Sequence, residues 1–157
     1  TLFARWIVGA TWIQNGATTP RSGASTYVAG AAIDFPTAPV KLGYDFAGWS
    51  LTDNGTVLTG SSYTPPSPYA ATTFYAKWTA RTNNLTWSFA SGTGDSGSAT
   101  YVTGTTITLP AAPTRASYNF AGWSVAGQTL AANATTFTPV SPFGDLTFTA
   151  NWTPVVP

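Results

Sequence analysis

Tyr44-Asp45-Phe46-Ala47-Gly48-Trp49-Ser50 returns as Tyr118-Asn119-Phe120-Ala121-Gly122-Trp123-Ser124, a shift of 74 positions (44 to 118). The same shift carries Tyr27-Val28 onto Tyr101-Val102, and Pro36 and Pro39 onto Pro110 and Pro113. It also carries Thr64-Pro65 onto Thr138-Pro139, Ser67-Pro68 onto Ser141-Pro142, and Trp78 onto Trp152. From Gly23 to Thr79 the second copy needs no insertion or deletion. An echo of this length at fixed period is a duplication, and it decides the architecture before any single residue is read. The chain is two copies of one small unit: residues 7–79 and 80–153, with a tail at 154–157.

A unit of this size buries a modest fraction of its surface and needs a dense core. Aromatic residues, 15% of the chain with seven Trp, supply large apolar areas for that purpose. Charged residues are only 7%, against a usual ~25%. With a net charge of +1 and Lys and Arg scattered singly, no electrostatic footprint for nucleic acid exists. The chain contains no Cys, His or Met, which excludes disulfides, thiol chemistry and imidazole–metal chemistry. No apolar run approaches the ~18 residues of a membrane span, so insertion is not expected. The abundance of Thr, Ser, Gly and Pro favours extended chain and turns over helix.

Local patterns give strands. Thr73-Phe74-Tyr75-Ala76-Lys77-Trp78 and Thr147-Phe148-Thr149-Ala150-Asn151-Trp152 alternate strictly, with Phe, Ala and Trp on one face. Each closes a unit with one buried and one exposed face. Thr1-Leu2-Phe3-Ala4-Arg5-Trp6 carries the same pattern, so residues 1–6 read as the closing strand of a preceding repeat. A first strand is expected near Ala10–Gln14, centred on Trp12, ending at the hairpin signal Asn15-Gly16. Leu85–Ala90, with Trp87, takes that role in the second copy. Trp6 to Trp49 spans 43 positions and Trp78 to Trp123 spans 45, a difference assigned to the hairpin tip. Thr26–Ala29 and Thr100–Thr103 read as second strands, and Pro36 and Pro39 then stop sheet pairing. In the central motif Tyr44 and Phe46 share a face. Trp49 falls on the opposite parity unless Gly48 seats a bulge, which is the reading adopted here. Thr52–Gly60 and Ala126–Ala134 lack helical periodicity and read as loops. The fold class is therefore mainly β, two tandem small sheet units with little or no helix.

Gly43-Tyr44-Asp45-Phe46-Ala47-Gly48-Trp49, followed by Thr73-Phe74-Tyr75-Ala76-Lys77-Trp78, resembles the Listeria–Bacteroides repeat, the B-repeat type of internalin-like surface proteins. Pro36 to Pro39 and Thr26-Tyr27-Val28-Ala29-Gly30 share the likeness. Two departures stand in the last copy: Ser117 for the family's Gly and Asn151 for its basic residue. The resemblance implies a β-grasp-like sheet in tandem arrays on bacterial surface or secreted proteins, with neighbouring repeats as partners. It implies neither catalytic residues nor a cofactor.

The residues themselves agree with a non-enzymatic reading. All five carboxylates are Asp, at 34, 45, 53, 95 and 145, and the duplication pairs none of them with another. Acid–base catalysis needs two positioned groups with split pKa values. Lys41 and Lys77 raise a Lys–Asn cross-link, which their replacement by Arg115 and Asn151 disfavours. The tryptophans of the closing strands belong to the core by parity. Trp12 and Trp87 do not keep the shift of 74 and lie beside the hairpin. Trp12, with Tyr69 and Phe143 after the Ser-Pro dipeptides, forms the candidate ligand-binding set. Three functions follow: a structural and adhesive stalk or spacer segment, a glycan- or protein-binding module using these loop aromatics, or a filament subunit adding a strand through residues 1–6.

Overall fold

The computed structural model describes residues 5–131 and 133–156, and these divide into two compact units at Thr79/Ala80. In the first unit the strands are β1 (Ile7–Ile13), β2 (Thr26–Val28), β3 (Ile33–Asp34), β4 (Tyr44–Ser50), β5 (Ser62–Tyr63) and β6 (Thr72–Ala80). The second repeats them as β7 (Thr82–Ser88), β8 (Thr100–Val102), β9 (Ile107–Thr108), β10 (Tyr118–Val125), β11 (Thr136–Phe137) and β12 (Leu146–Pro154). No helix occurs among the described residues. Each unit has a four-stranded mixed sheet, ordered β2-β1-β6-β4 in the first and β8-β7-β12-β10 in the second. A two-stranded sheet, β3–β5 or β9–β11, completes each unit. The first and last strands of a unit pair in parallel: Ala10 to Ile13 against Thr72 to Tyr75, and Leu85 to Ser88 against Leu146 to Thr149. A parallel pair requires a long crossover, and here the crossover holds all the other strands.

The closing strands behave as their alternation requires. Phe74 and Ala76, like Phe148 and Ala150, are buried to 2% exposure or less. Across the parallel ladder Trp12 stands opposite Phe74, and Trp87 opposite Phe148. The rings stack at 4.5 Å and 4.7 Å between centroids. Trp12 and Trp87 are therefore equivalent. Their offset of 75 rather than 74 reflects a hairpin one residue shorter in the second unit: Trp12 to Tyr27 is 15 positions and Trp87 to Tyr101 is 14.

The bulge is present at the expected glycine. Between Phe120 and Gly122 the register of β10 against β12 shifts, leaving Ala121 as the extra residue. Gly122 and Gly48 have φ of +106° and +131°, in the region that glycine alone enters freely. The extra residue turns Trp123 back to the side of Phe120, at 5.5 Å between ring centroids, and Trp49 meets Phe46 in the same way at 5.4 Å. The indole N–H of Trp49 and of Trp123 is buried without a nitrogen or oxygen acceptor. Each ring lies at 67–75° to its aromatic neighbours, the edge-to-face arrangement that ring quadrupoles favour.

The pairs β3–β5 and β9–β11 join Ile33-Asp34 to Ser62-Tyr63 and Ile107-Thr108 to Thr136-Phe137, just before Thr64-Pro65 and its echo. One expectation needs revision. The length difference between copies lies mainly at the unit's entry. β1 begins immediately after Trp6, while β7 begins at Thr82, four positions after Trp78. Of the closing strand expected at residues 1–6, Thr1–Ala4 lie outside the described residues, and Arg5 and Trp6 are in no strand. Backbone pairing places Trp6 with Arg81 rather than Trp78. The Ala29 N–H donates to the Trp6 carbonyl at 2.9 Å, and the Thr103 N–H donates to the Arg81 carbonyl at 2.9 Å.

Two substitutions test this account. Gly48→Ala places a methyl against the Val57 side chain as well as forcing φ, whereas Gly122→Ala meets only the Asn133 amide nitrogen at 3.9 Å. Urea unfolding should show a loss of roughly 3 kcal/mol for Gly48→Ala and roughly 1–2 kcal/mol for Gly122→Ala. The hairpin turn gives the second test. Asn15 and Gly16 have φ of 47° and 81°, and Ala90 and Ser91 hold the matching pair at 48° and 71°. Replacing Ala90-Ser91 with Asn-Gly should raise stability by about 1 kcal/mol, seen as a higher urea midpoint with unchanged slope.

Candidate functional site

Trp12, Tyr69 and Phe143 occupy three different environments. Trp12 is partly buried in the first core, stacked on Phe74 and edge-on to Trp49 at 4.9 Å. Its indole N–H donates to the Ala24 carbonyl at 3.0 Å, and Gly23 lies so close to the ring that a Cβ there would collide with it. Trp87 repeats this arrangement with Phe148 and the Ser98 carbonyl. Phe143 is half-buried in the second unit. Tyr69 is the most open of the three, at 45% exposure.

The loop carrying Tyr69 is anchored from below. Buried Tyr27 donates its hydroxyl proton to the Ala70 carbonyl at 2.7 Å, and Tyr101 does the same to Gly144 at 2.8 Å. Each loop contains a cis Ser-Pro bond, Ser67-Pro68 or Ser141-Pro142. In the first unit the anchored loop forms one wall of a shallow depression of about 610 Å³. Arg5, Trp6, Val8, Val28, Pro68 and Tyr69 are among its lining residues. Trp6 is 75% exposed. Trp12 does not line this depression. The structure thus joins Tyr69 to Trp6, a residue the sequence pattern had assigned to a preceding strand. In the second unit Asn83 and Thr103 take the places of Val8 and Ala29. They are buried and hydrogen-bonded to each other at 3.0 Å.

The polar groups are engaged structurally. Asn15 donates its side-chain amide to Asp53 Oδ1 at 2.9 Å and to the Ala76 carbonyl at 3.0 Å. Lys77 donates to the Asp53 carbonyl at 2.6 Å, and Lys41 donates to the Asn15 carbonyl at 3.1 Å. Lys41 Nζ also lies 4.4 Å from the Tyr44 ring centre, and Arg115 lies 3.8 Å from that of Tyr118. Asp34, Asp45 and Asp95 are exposed. Among the described residues no three His, Cys, Asp or Glu side chains form a group that could hold a metal ion. No helix among them is long and apolar enough to cross a membrane.

Asp145 is clipped to the entry strand of the second unit. Its Oδ1 accepts the Asn84 backbone N–H at 2.7 Å and its Oδ2 accepts the Asn84 side-chain amide at 3.2 Å. These bonds, the backbone one foremost, hold its carboxyl below the ordinary carboxylate range.

A family model described as the Listeria-Bacteroides repeat domain matches residues 10–77 and again residues 86–151. The chain belongs to that family. No curated protein and no solved structure matches the chain.

The Asp145 clip predicts a pH dependence. A depressed folded pKa contributes stability that is present above the unfolded carboxylate value and disappears as pH falls through the folded one. Acid titration of the thermal midpoint should show this loss below the ordinary carboxylate range. Asp145→Asn should remove that component of the slope while leaving the rest of the curve.

Proposed function

We propose that this member of the Listeria-Bacteroides repeat family is a non-enzymatic structural segment, a stalk or spacer, of a bacterial cell-surface or secreted protein. One observation carries the reading: in both units the entry strand and the exit strand are neighbours in parallel. The chain enters β1 at one end of the ladder and leaves β6 at the other. Tension along the chain therefore loads the four registered pairs, Ala10–Ile13 against Thr72–Tyr75, in shear. All of these bonds must yield together, along with the Trp12–Phe74 stack that bridges the two strands. The second unit repeats the ladder between Leu85–Ser88 and Leu146–Thr149. Arg81 alone separates β6 from β7, so force passes from the exit strand of one unit to the entry strand of the next through a single intervening residue. Neighbouring repeats of the same chain are then its natural partners. The low charge and the Thr-rich outward faces suit a surface that is exposed without being reactive.

Single-molecule stretching of the chain tests this. Two unfolding events are expected, each releasing about 250 Å of chain as ~73 residues straighten. Thr11→Pro removes a backbone donor inside the first ladder and should lower the force of one event only. Unfolding without a resolvable force, or an unchanged pair of events in Thr11→Pro, would remove the mechanical reading.

A further inference from the structure

Two dipeptides place Asn directly before Gly, Asn15-Gly16 and Asn54-Gly55, and both lie in the first unit. Their counterparts in the second unit are Ala90-Ser91 and Gln128-Thr129. Asn-Gly is a reactive pair as well as a turn signal. The backbone nitrogen of the following residue can reach the side-chain carbonyl carbon of Asn and close a five-membered ring. A Gly at that position has no side chain to obstruct the approach. The two dipeptides are identical, so only their surroundings distinguish them.

Asn15 is held in place. Its side-chain amide donates to Asp53 Oδ1 at 2.9 Å and to the Ala76 carbonyl at 3.0 Å. Its backbone carbonyl accepts from Lys41 Nζ at 3.1 Å. Turning the side chain toward the Gly16 nitrogen means giving up both amide bonds. Asn54 is exposed, in the turn after β4. Among the described residues no hydrogen bond holds its side-chain amide. A single bond closes the turn, from the Gly55 N–H to the Thr52 carbonyl at 3.0 Å. A Cβ on Gly55 would lie 2.5 Å from Thr52 Oγ1, so the turn favours glycine at the attacking position.

We infer that Asn54 is a self-modification site of the first unit, deamidating to aspartate and isoaspartate, and that the fold protects Asn15 from the same reaction. Hydroxide from solvent takes the Gly55 amide proton. The freed nitrogen bonds to Asn54 Cγ, the bond from Cγ to the amide nitrogen breaks, and water protonates the departing group to ammonia. A second water opens the cyclic imide at either carbonyl. One opening leaves aspartate. The other leaves isoaspartate, whose main chain runs through the side-chain carbon and is longer by a methylene. Water is the only co-reactant. The product places a new carboxylate beside Asp53, the residue that accepts from Asn15 and from Lys77. Adjacent like charges and a lengthened turn weaken that grip on the hairpin and on β6. The second unit has neither dipeptide, so the change falls on the first alone. This goes beyond the stalk reading and stands without it.

Prolonged incubation of the folded chain in mildly alkaline buffer, followed by peptide mapping, reads the result. Each conversion replaces an amide NH2 by a hydroxyl, which shifts the mass and charge of the peptide that carries it. Asn54 should convert about tenfold or more faster than Asn15, because two hydrogen bonds must be given up at Asn15. In urea, with both turns unfolded, the two rates should converge. Asn54→Gln, which would have to close a larger ring, should stop conversion at that position and keep the parent's unfolding curve. Hydrogen exchange of the aged chain should quicken at residues 14–16 and 76–78 and stay unchanged across 80–153. An Asn54 that stays intact, or converts no faster than Asn15 in the folded chain, overturns the inference. So does a difference between the two sites that persists in urea, because the fold would then not be its cause. Exchange that is unchanged in the aged first unit overturns the weakened grip.

Discussion

Two flat rings stacked across a parallel strand pair hold each unit together. Trp12 on Phe74 and Trp87 on Phe148 lie within 18° of coplanar. Their partners are directly opposite in the ladder, so the stack and the register specify each other. A slip of one residue would move Trp12 to the solvent face and leave Phe74 against nothing. The other rings assemble around this pair. Trp49, Phe35 and Tyr63 meet the first stack edge-on, and Trp123 and Phe137 meet the second. Aromatic pairs of this kind add about 0.5–1.5 kcal/mol each beyond their area burial. A unit with no disulfide or metal relies on such a dense set to offset its small size.

The bulge is what lets the central motif join that set. In a regular strand Phe46 and Trp49 would face opposite sides, because three positions is an odd step. With the extra residue both reach the core, and Phe46 then bridges Trp49 to Trp78 at 5.4 Å and 5.5 Å. Trp78 in turn donates its indole N–H to the Gln14 carbonyl at 3.2 Å, and Trp152 donates to the Phe89 carbonyl at 3.0 Å. The closing tryptophan thus ties the exit strand to the end of the entry strand. Gly48, Trp49, Phe46 and Trp78 form one mechanical chain from edge strand to hairpin turn, and the second unit reproduces it.

Much of this was legible in the residues because the interactions that matter have local signatures. Strict alternation gave the closing strands their buried face, Asn15-Gly16 gave the turn, and Gly before Trp gave the bulge. The features that escaped share a physical cause. A strand of two residues, such as Ser62–Tyr63, has no period to detect. Trp12 and Trp87 lost their equivalence to one residue in a hairpin tip, although their packing is the same. Trp6 has the backbone contact of Arg81 and an exposed ring, neither of which alternation alone reports. The depression beside Tyr69 needed the Tyr27–Ala70 hydrogen bond, which spans 43 positions and leaves no mark in any window of sequence.

The differences between the units carry as much meaning as the likeness. Asn15, Lys41, Asp53 and Lys77 tie the first hairpin turn to β6 and to the loop after β4. Their counterparts Ala90, Arg115, Gly127 and Asn151 cannot form the same network. The second unit instead clips the start of β12 to β7 through Asp145 and Asn84. Both arrangements bridge segments far apart in sequence, and both do so with different residues in different places. Chemistry on a substrate would require one fixed constellation, whereas holding a sheet together requires only that some bond be made. The cation over a ring persists as Lys41 on Tyr44 and Arg115 on Tyr118, because either cation can occupy a π face even though their hydrogen-bonding geometries differ. What the two units hold in common is therefore the aromatic core and the parallel ladder it grips. The polar surface is free to vary between units as long as that ladder and its ring stack keep their register.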